Sequence, residues 1–172
     1  MLENATPSGA KPGGRPPEFD REHVLDAAVT AFWTSGYKGT TVRDLERATG
    51  IDRSTLYRTF GGKDGLYRAA ADTYVEMAST QLFAVLHHGT HGVVDVLTFI
   101  DTLAGSFRAG QPPGCLIVND MASVGEHDAT RRYLNLLGTG LRAALTRASD
   151  RGEFPLANFV PLMGEHPTRR RS

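Results

Sequence analysis

Several things are scarce in this chain, and each scarcity excludes something. A single cysteine, Cys115, rules out an internal disulfide framework and a Cys-cluster zinc site. No apolar run approaches the ~20 residues that a bilayer span requires. The opening stretch MLENATPSGAKPGGRPP has no apolar core of the secretory kind. These features lead us to expect a protein of the cytoplasm with no membrane partner. No glycine-rich segment matches a phosphate-cradling motif, and the Ser, His and Asp residues are scattered without a nucleophile elbow. Neither an enzyme nor a cofactor is expected. His87, His88 and His91 lie close together but lack carboxylates in register, so they read as a helix end and loop, and no metal is expected.

Net charge is also absent, with 19 basic residues against 19 acidic over 172 residues. That balance is uneven along the chain. Residues 1–63 carry 9 basic and 8 acidic side chains, residues 64–128 carry 2 and 8, and residues 129–172 carry 8 and 3. Within 38–63, Lys38, Arg43, Arg47, Arg53, Arg58 and Lys63 face only Asp44, Glu46 and Asp52. Sign asymmetry of this kind points toward nucleic acid. A hydrophobic fraction of 40% and a charged fraction of 22% exclude a wholly disordered chain.

Residues 1–18, rich in proline and glycine with Lys11 and Arg15 as their only cations, read as a flexible basic arm. Asp20 then caps a helix with Val24, Ala28, Ala31 and Phe32 at helical spacing, stopped by Gly36. Thr41-Val42-Arg43-Asp44 has the form of a capping box opening a second helix, with Leu45 and Ala48 inward and Gly50 closing it. Asp52 caps a third, Arg53 to Phe60, with Leu56 and Phe60 inward. Further helices are expected over Lys63 to Leu86, Val93 to Arg108, Cys115 to Val124, and from Asp128, as its cap, to about Arg151. No strand period is sustained, so the predicted fold is all-α.

Two short helices around Gly50-Ile51-Asp52, braced by a preceding helix, form a helix-turn-helix unit, whose second helix enters the major groove. Its outward face would be Arg53, Ser54, Tyr57 and Arg58, with Thr55 near the start; these side chains donate to phosphates or base edges. Backbone N–H groups at both helix starts are further phosphate donors. The stretch from Phe19 to Tyr67 resembles the TetR-type, tetracycline-repressor-like transcriptional regulators. The resemblance is carried by Ala27-Ala28, Phe32, Gly36-Tyr37, Thr40-Thr41-Val42-Arg43-Asp44-Leu45, Gly50-Ile51, Thr55-Leu56-Tyr57, Phe60, Lys63 and Leu66. It implies DNA contacts at Thr41, Arg43, Arg53, Ser54, Thr55, Tyr57, Arg58, Thr59 and Lys63. The partner implied is double-stranded DNA with a palindromic operator, bound by a homodimer. Gly61-Gly62 departs from the family's more usual Pro-Ser before the lysine.

The resemblance divides the chain into the arm at 1–18, a DNA-binding unit at 19–63, a helical regulatory unit at 64–152 and an irregular tail at 153–172. It also implies a pocket for an unknown small-molecule effector. Candidate lining residues are Phe83, Leu97, Ile100, Leu103, Phe107, Cys115, Leu116, Met121 and Leu137, each equally readable as core. Cys115 follows Pro-Pro-Gly at a helix start and reads either as a redox sensor or as a small core residue. After Gly152 the helical period fails at Pro155, Pro161 and Pro167, where the family would place two dimer-forming helices. That end reads as truncated, frame-shifted or simply short. The row Leu134, Leu137, Leu141, Leu145 is either core or a substitute interface. Two functions follow: a repressor released by an effector, or a truncated helical protein-interaction module with weak or no operator binding.

Overall fold

Short polar side chains close on the backbone at the start of each of the first three helices. In a computed structural model, which describes residues 20–108, 112, 114–125 and 127–153, these are α1 (Arg21–Gly39), α2 (Val42–Thr49) and α3 (Arg53–Phe60). The Asp20 carboxylate accepts from the Glu22 and His23 N–H groups at 3.0 and 3.3 Å. Thr41 and Asp44 form the reciprocal capping box. Asp52 accepts from the Thr55 N–H at 2.7 Å. α1 does not end cleanly at the expected stop. Gly36, at φ +69°, kinks it, and a last turn continues to Gly39. A side chain other than hydrogen is strained at that angle, so glycine sets the kink.

Five more helices follow: α4 (Lys63–Gln81), α5 (Ala84–His88), α6 (Val93–Arg108), α7 (Leu116–Val124) and α8 (Asp128–Asp150). α4, α5, α7 and α8 have no side-chain N-cap. Packing holds them instead. α4 is the shared spine, in contact with α1, α3, α5, α7 and α8. At one end Phe32, Leu45, Leu56, Leu66 and Tyr67 are buried; at the other, Phe83, Leu86, Leu116, Ile117 and Tyr133. Burying one such side chain fully is worth about 1.5–3 kcal/mol. α3 and α4 meet so closely that a Cβ on Gly65 would stand 1.6 Å from the Phe60 carbonyl oxygen.

Several boundaries differ from expectation. The helix expected to run to Leu86 breaks at Leu82-Phe83, where the Phe83 N–H reaches back five residues to the Ala78 carbonyl at 2.8 Å. The turn lets Phe83 bury against Tyr133 and Phe99, with ring centroids 5.0 and 6.1 Å away. Ala48, expected inward, is exposed; Thr49 is buried in its place, its hydroxyl donating to the Leu45 carbonyl at 2.6 Å. His127 rather than Asp128 occupies the N-cap position of α8, and Asp128 lies in the first turn. The arm at 1–18 with Lys11 and Arg15, and the tail beyond Glu153, lie outside the described residues.

One buried ion pair ties the second half together. Asp95, 3% exposed, accepts from the His91 and Gly92 N–H groups at 2.9 and 3.1 Å. The Arg147 guanidinium of α8 reaches the same carboxylate at 3.0 Å and donates to the Leu86 carbonyl at 2.8 Å. Burial opposes ionisation of Asp95 most strongly, yet the two backbone donors and Arg147 together outweigh it and hold its pKa below the usual carboxylate range.

Candidate nucleic-acid interface

Leu56 is fully buried on one side of α3, and that fixes what faces outward. Arg53, Ser54, Tyr57, Arg58 and Thr59 are exposed, whereas Thr55 is half-buried. The Arg53 guanidinium sits 5.5 Å from the centre of the Tyr57 ring, a cation–π contact that aligns the two on one face. Arg58 donates to the Thr55 hydroxyl at 3.3 Å, and Ser54 donates to Asp52 at 2.8 Å. Thr41 and Arg43 are exposed at the start of α2. The Thr41 hydroxyl donates to Asp44 at 2.6 Å, and this bond, followed by the Thr41 N–H, lowers the Asp44 pKa. The Thr55 N–H, followed by the Ser54 hydroxyl, does the same for Asp52.

Some backbone donors expected to hold phosphate are already engaged. The Arg53 N–H donates to Glu46 at 2.7 Å, and the Thr41 N–H to Asp44 at 3.0 Å. Lys63 stands apart from the α3 face. Its ammonium lies 4.2 Å from the centre of the Tyr37 ring. Tyr37 in turn donates its hydroxyl to Asp64, and that bond, with burial second, pushes its pKa up to about 12. Tyr37 also stacks on Phe32 and meets Tyr67 edge-on.

Asp120 was not singled out by the sequence. It lies in α7, is 3% exposed, and accepts from the Tyr37 N–H with both oxygens, at 3.0 and 3.2 Å. The buried Tyr67 hydroxyl lies beside it without a hydrogen bond of good geometry; burial, then the Asp120 charge, raises its pKa. A second tie runs from α1 to the turn just before α7, as the Trp33 indole N–H donates to the Gly114 carbonyl at 3.2 Å. An aspartate in an apolar helix is the one sequence signal that could have marked Asp120, because a buried carboxylate needs donors.

Beneath Trp33 lies a cavity of about 330 Å3, walled by Trp33, Tyr74, Met77, Leu82, Leu103 and Cys115, with Gln81, Thr102 and Ser106 as its polar side chains. Of the nine expected pocket residues, Leu103 and Cys115 line it. Leu97, Ile100 and Phe107 point outward from α6, at 58%, 51% and 50% exposed, and Met121 is exposed on α7. The alternation that makes α6 amphipathic puts Val96, Phe99 and Leu103 on its inner side, so 97, 100 and 107 fall on the other. Phe83 and Leu116 are fully buried core, and Leu137 packs half-buried against that core. In the leucine row, Leu134 is exposed, while Leu137 and Leu141 are half-buried against the core. The Tyr74 and Tyr133 hydroxyls converge on the Cys115 thiol, and burial is the main cause that raises both their pKa values. His87 faces the Leu136 carbonyl at 2.9 Å.

Two capped short helices joined by a tight turn, braced by α1 and set on a helical body, define a helix-turn-helix regulator. The model of the bacterial regulatory proteins of the tetR family matches residues 24–70. An uncharacterized HTH-type transcriptional regulator of Bacillus subtilis, YezE, is 32% identical over 149 residues, 81% of this chain and 75% of that one. The chain belongs to the TetR family, whose members are transcriptional regulators rather than enzymes. It is also 34% identical over 126 residues to the HTH-type transcriptional repressor ComR of Escherichia coli; the match takes in 72% of this chain and spans 60% of ComR. Among solved structures, a cysteine mutant of the TetR family regulator CifR, complexed with 26-bp operator DNA, superposes with a TM-score of 0.64. It is 27% identical, and the match covers 83% of this chain and 77% of that one.

Proposed function

We propose that this protein is a repressor that binds a palindromic operator as a homodimer and is released by a small-molecule effector. The observation that carries the reading is the outward face of α3, where Arg53, Ser54, Tyr57 and Arg58 stand together opposite the buried Leu56. On this reading Arg53, Ser54 and Thr55 face bases, with Arg58 and Thr59 flanking them. Thr41, Arg43, Tyr57 and Lys63 hold phosphates. The 19–63 segment reads DNA, the 64–152 segment senses the effector, and the protein works in the cytoplasm. Among the described residues no helix is long and apolar enough to cross a membrane. The operator-bound CifR structure supports the DNA partner. The exposed apolar row of Val94, Leu97, Ile100 and Phe107 on α6 supports association, because a patch of this kind is commonly covered by a partner.

The test is duplex binding to the DNA upstream of the protein's own gene, at two salt concentrations. Neutralising ~6–10 phosphates predicts a loss of roughly 10³–10⁵ in affinity from 50 to 200 mM salt. Binding that is absent at 50 mM, with the helical fold intact, would return the chain to the rival reading of a protein-interaction module.

A further inference from the structure

The start of α3 already carries negative charge. Asp52, on the turn, accepts from the Thr55 N–H at 2.7 Å and from the Ser54 hydroxyl at 2.8 Å. Glu46 reaches the same helix end from α2, where its carboxylate accepts from the Arg53 N–H at 2.7 Å. The two carboxylates differ in what they join. The Asp52 bonds stay at the cap of α3, whereas the Glu46 bond runs from one helix to the other. Glu46 is half-buried one turn into α2, beside Arg47, whose guanidinium lies 3.3 Å from Asp44. Leu45, Ile51 and Leu56 bury apolar surface from α2, the turn and α3 in one core, but burial of that kind is non-directional. A short bond to a charged acceptor is directional. It fixes the Arg53 backbone relative to α2, while the Tyr57 ring, 5.5 Å from the guanidinium, aligns the far end of the same side chain. Arg53 is thus held at both ends.

The charge has a separate effect. The first N–H groups of a helix, with the positive end of its dipole, are where a phosphate would otherwise settle. On α3 the N–H groups of Arg53 and Thr55 face carboxylates, so a phosphate brought there meets like charge. Base edges carry no formal charge and meet no such repulsion. We propose that Glu46 is a positioning residue for base reading: through the Arg53 N–H it sets α3 on α2, and through its charge it keeps backbone phosphate off the start of α3, so that contact at this end depends on the bases. The proposal rests on the repressor reading and adds to it a residue of α2 that acts through Arg53 rather than on a base.

The test uses the full chain, a duplex that the parent selects from a random-sequence pool, and an unrelated duplex of the same length and base composition. Glu46→Gln keeps an oxygen for the Arg53 N–H and removes the charge. It should tighten binding to the unrelated duplex by about threefold at 50 mM salt, and by less at 200 mM, where screening already weakens the repulsion. The selected duplex should gain less, because α3 is seated on its bases, and the ratio between the two should fall. Glu46→Ala removes the acceptor as well. Exchange of the Arg53 amide in the free protein should then rise by about tenfold. Discrimination among single base changes should fall by about tenfold at the position that Arg53 reads, whereas Glu46→Gln keeps most of it. A merely structural role would instead lower the melting temperature and weaken every duplex by one factor, and that result would overturn the proposal. An unchanged ratio between the duplexes in Glu46→Gln would overturn it too, as would unchanged Arg53 exchange in Glu46→Ala. The amide readout uses no DNA. A parent that selects no duplex therefore refutes the repressor reading, while Arg53 exchange still decides whether Glu46 sets α3 on α2.

Discussion

Helices α1–α3 are started by their own side chains, and the later helices are held by packing, on α1 as well as on one another. Asp20, Thr41 and Asp52 each close a cap within three residues, whereas α4, α5, α7 and α8 have no side-chain cap. The same contrast holds for charge. In the first region the bonding carboxylates are exposed or half-buried and act locally; in the second, Asp95 and Asp120 are buried and reach across 52 and 83 residues of sequence. On the proposed function, a unit that presents a fixed face to DNA gains from local encoding, because each cap fixes where its helix starts independently of distant contacts. On the same reading, a unit that responds to an effector gains from contacts that exist only in the assembled state, since those are the contacts a ligand can shift.

This contrast predicts unequal costs for single substitutions. Asp95→Ala leaves the Arg147 guanidinium without its carboxylate and two N–H groups without an acceptor, so it should lower stability by about 3 kcal/mol, read from urea denaturation. The folded-state pKa of Asp95 is depressed. Its contribution is therefore present above the unfolded value of about 3.9 and is lost as pH falls through the lower folded value. Stability should drop over that acid range in the parent and drop less in Asp95→Asn; identical profiles would break the link to Asp95. Thr41→Ala removes one exposed cap and should cost about 1 kcal/mol, with α4–α8 unaffected by hydrogen exchange. If Thr41→Ala instead cost as much as Asp95→Ala, the distinction between locally and mutually encoded regions would fail.

The legibility of the sequence follows the same division. The three N-caps, and Gly50 and Gly61 as C-caps in the left-handed conformation, are visible because cap and helix are adjacent. Ala48 is exposed where helical spacing places it inward, because three- and four-residue spacings compete in a helix of eight residues and the Leu45 carbonyl can accept from the Thr49 hydroxyl. The break between α4 and α5 falls inside Leu82-Phe83-Ala84-Val85-Leu86, where no glycine or proline marks it. It exists because Phe83 must reach Phe99 and Tyr133. The apolar residues of α6 are legible as a helix but not by face, and Leu97, Ile100 and Phe107, candidates for a pocket lining, stand outward. Trp33 and Asp120 bond to groups 81 and 83 residues away, a relation that no local window of sequence contains.

On the proposed function, α3 reads bases while Lys63 at the start of α4 holds the backbone. The most direct measurement is binding of Arg53→Ala and Lys63→Ala to a panel of duplexes bearing single base changes, across a salt series. Arg53→Ala should cost about 1–3 kcal/mol on the preferred site and level its preference at one position. Lys63→Ala should weaken every duplex alike and reduce the salt slope by about 1. Equal losses on every duplex from both substitutions would contradict the assignment.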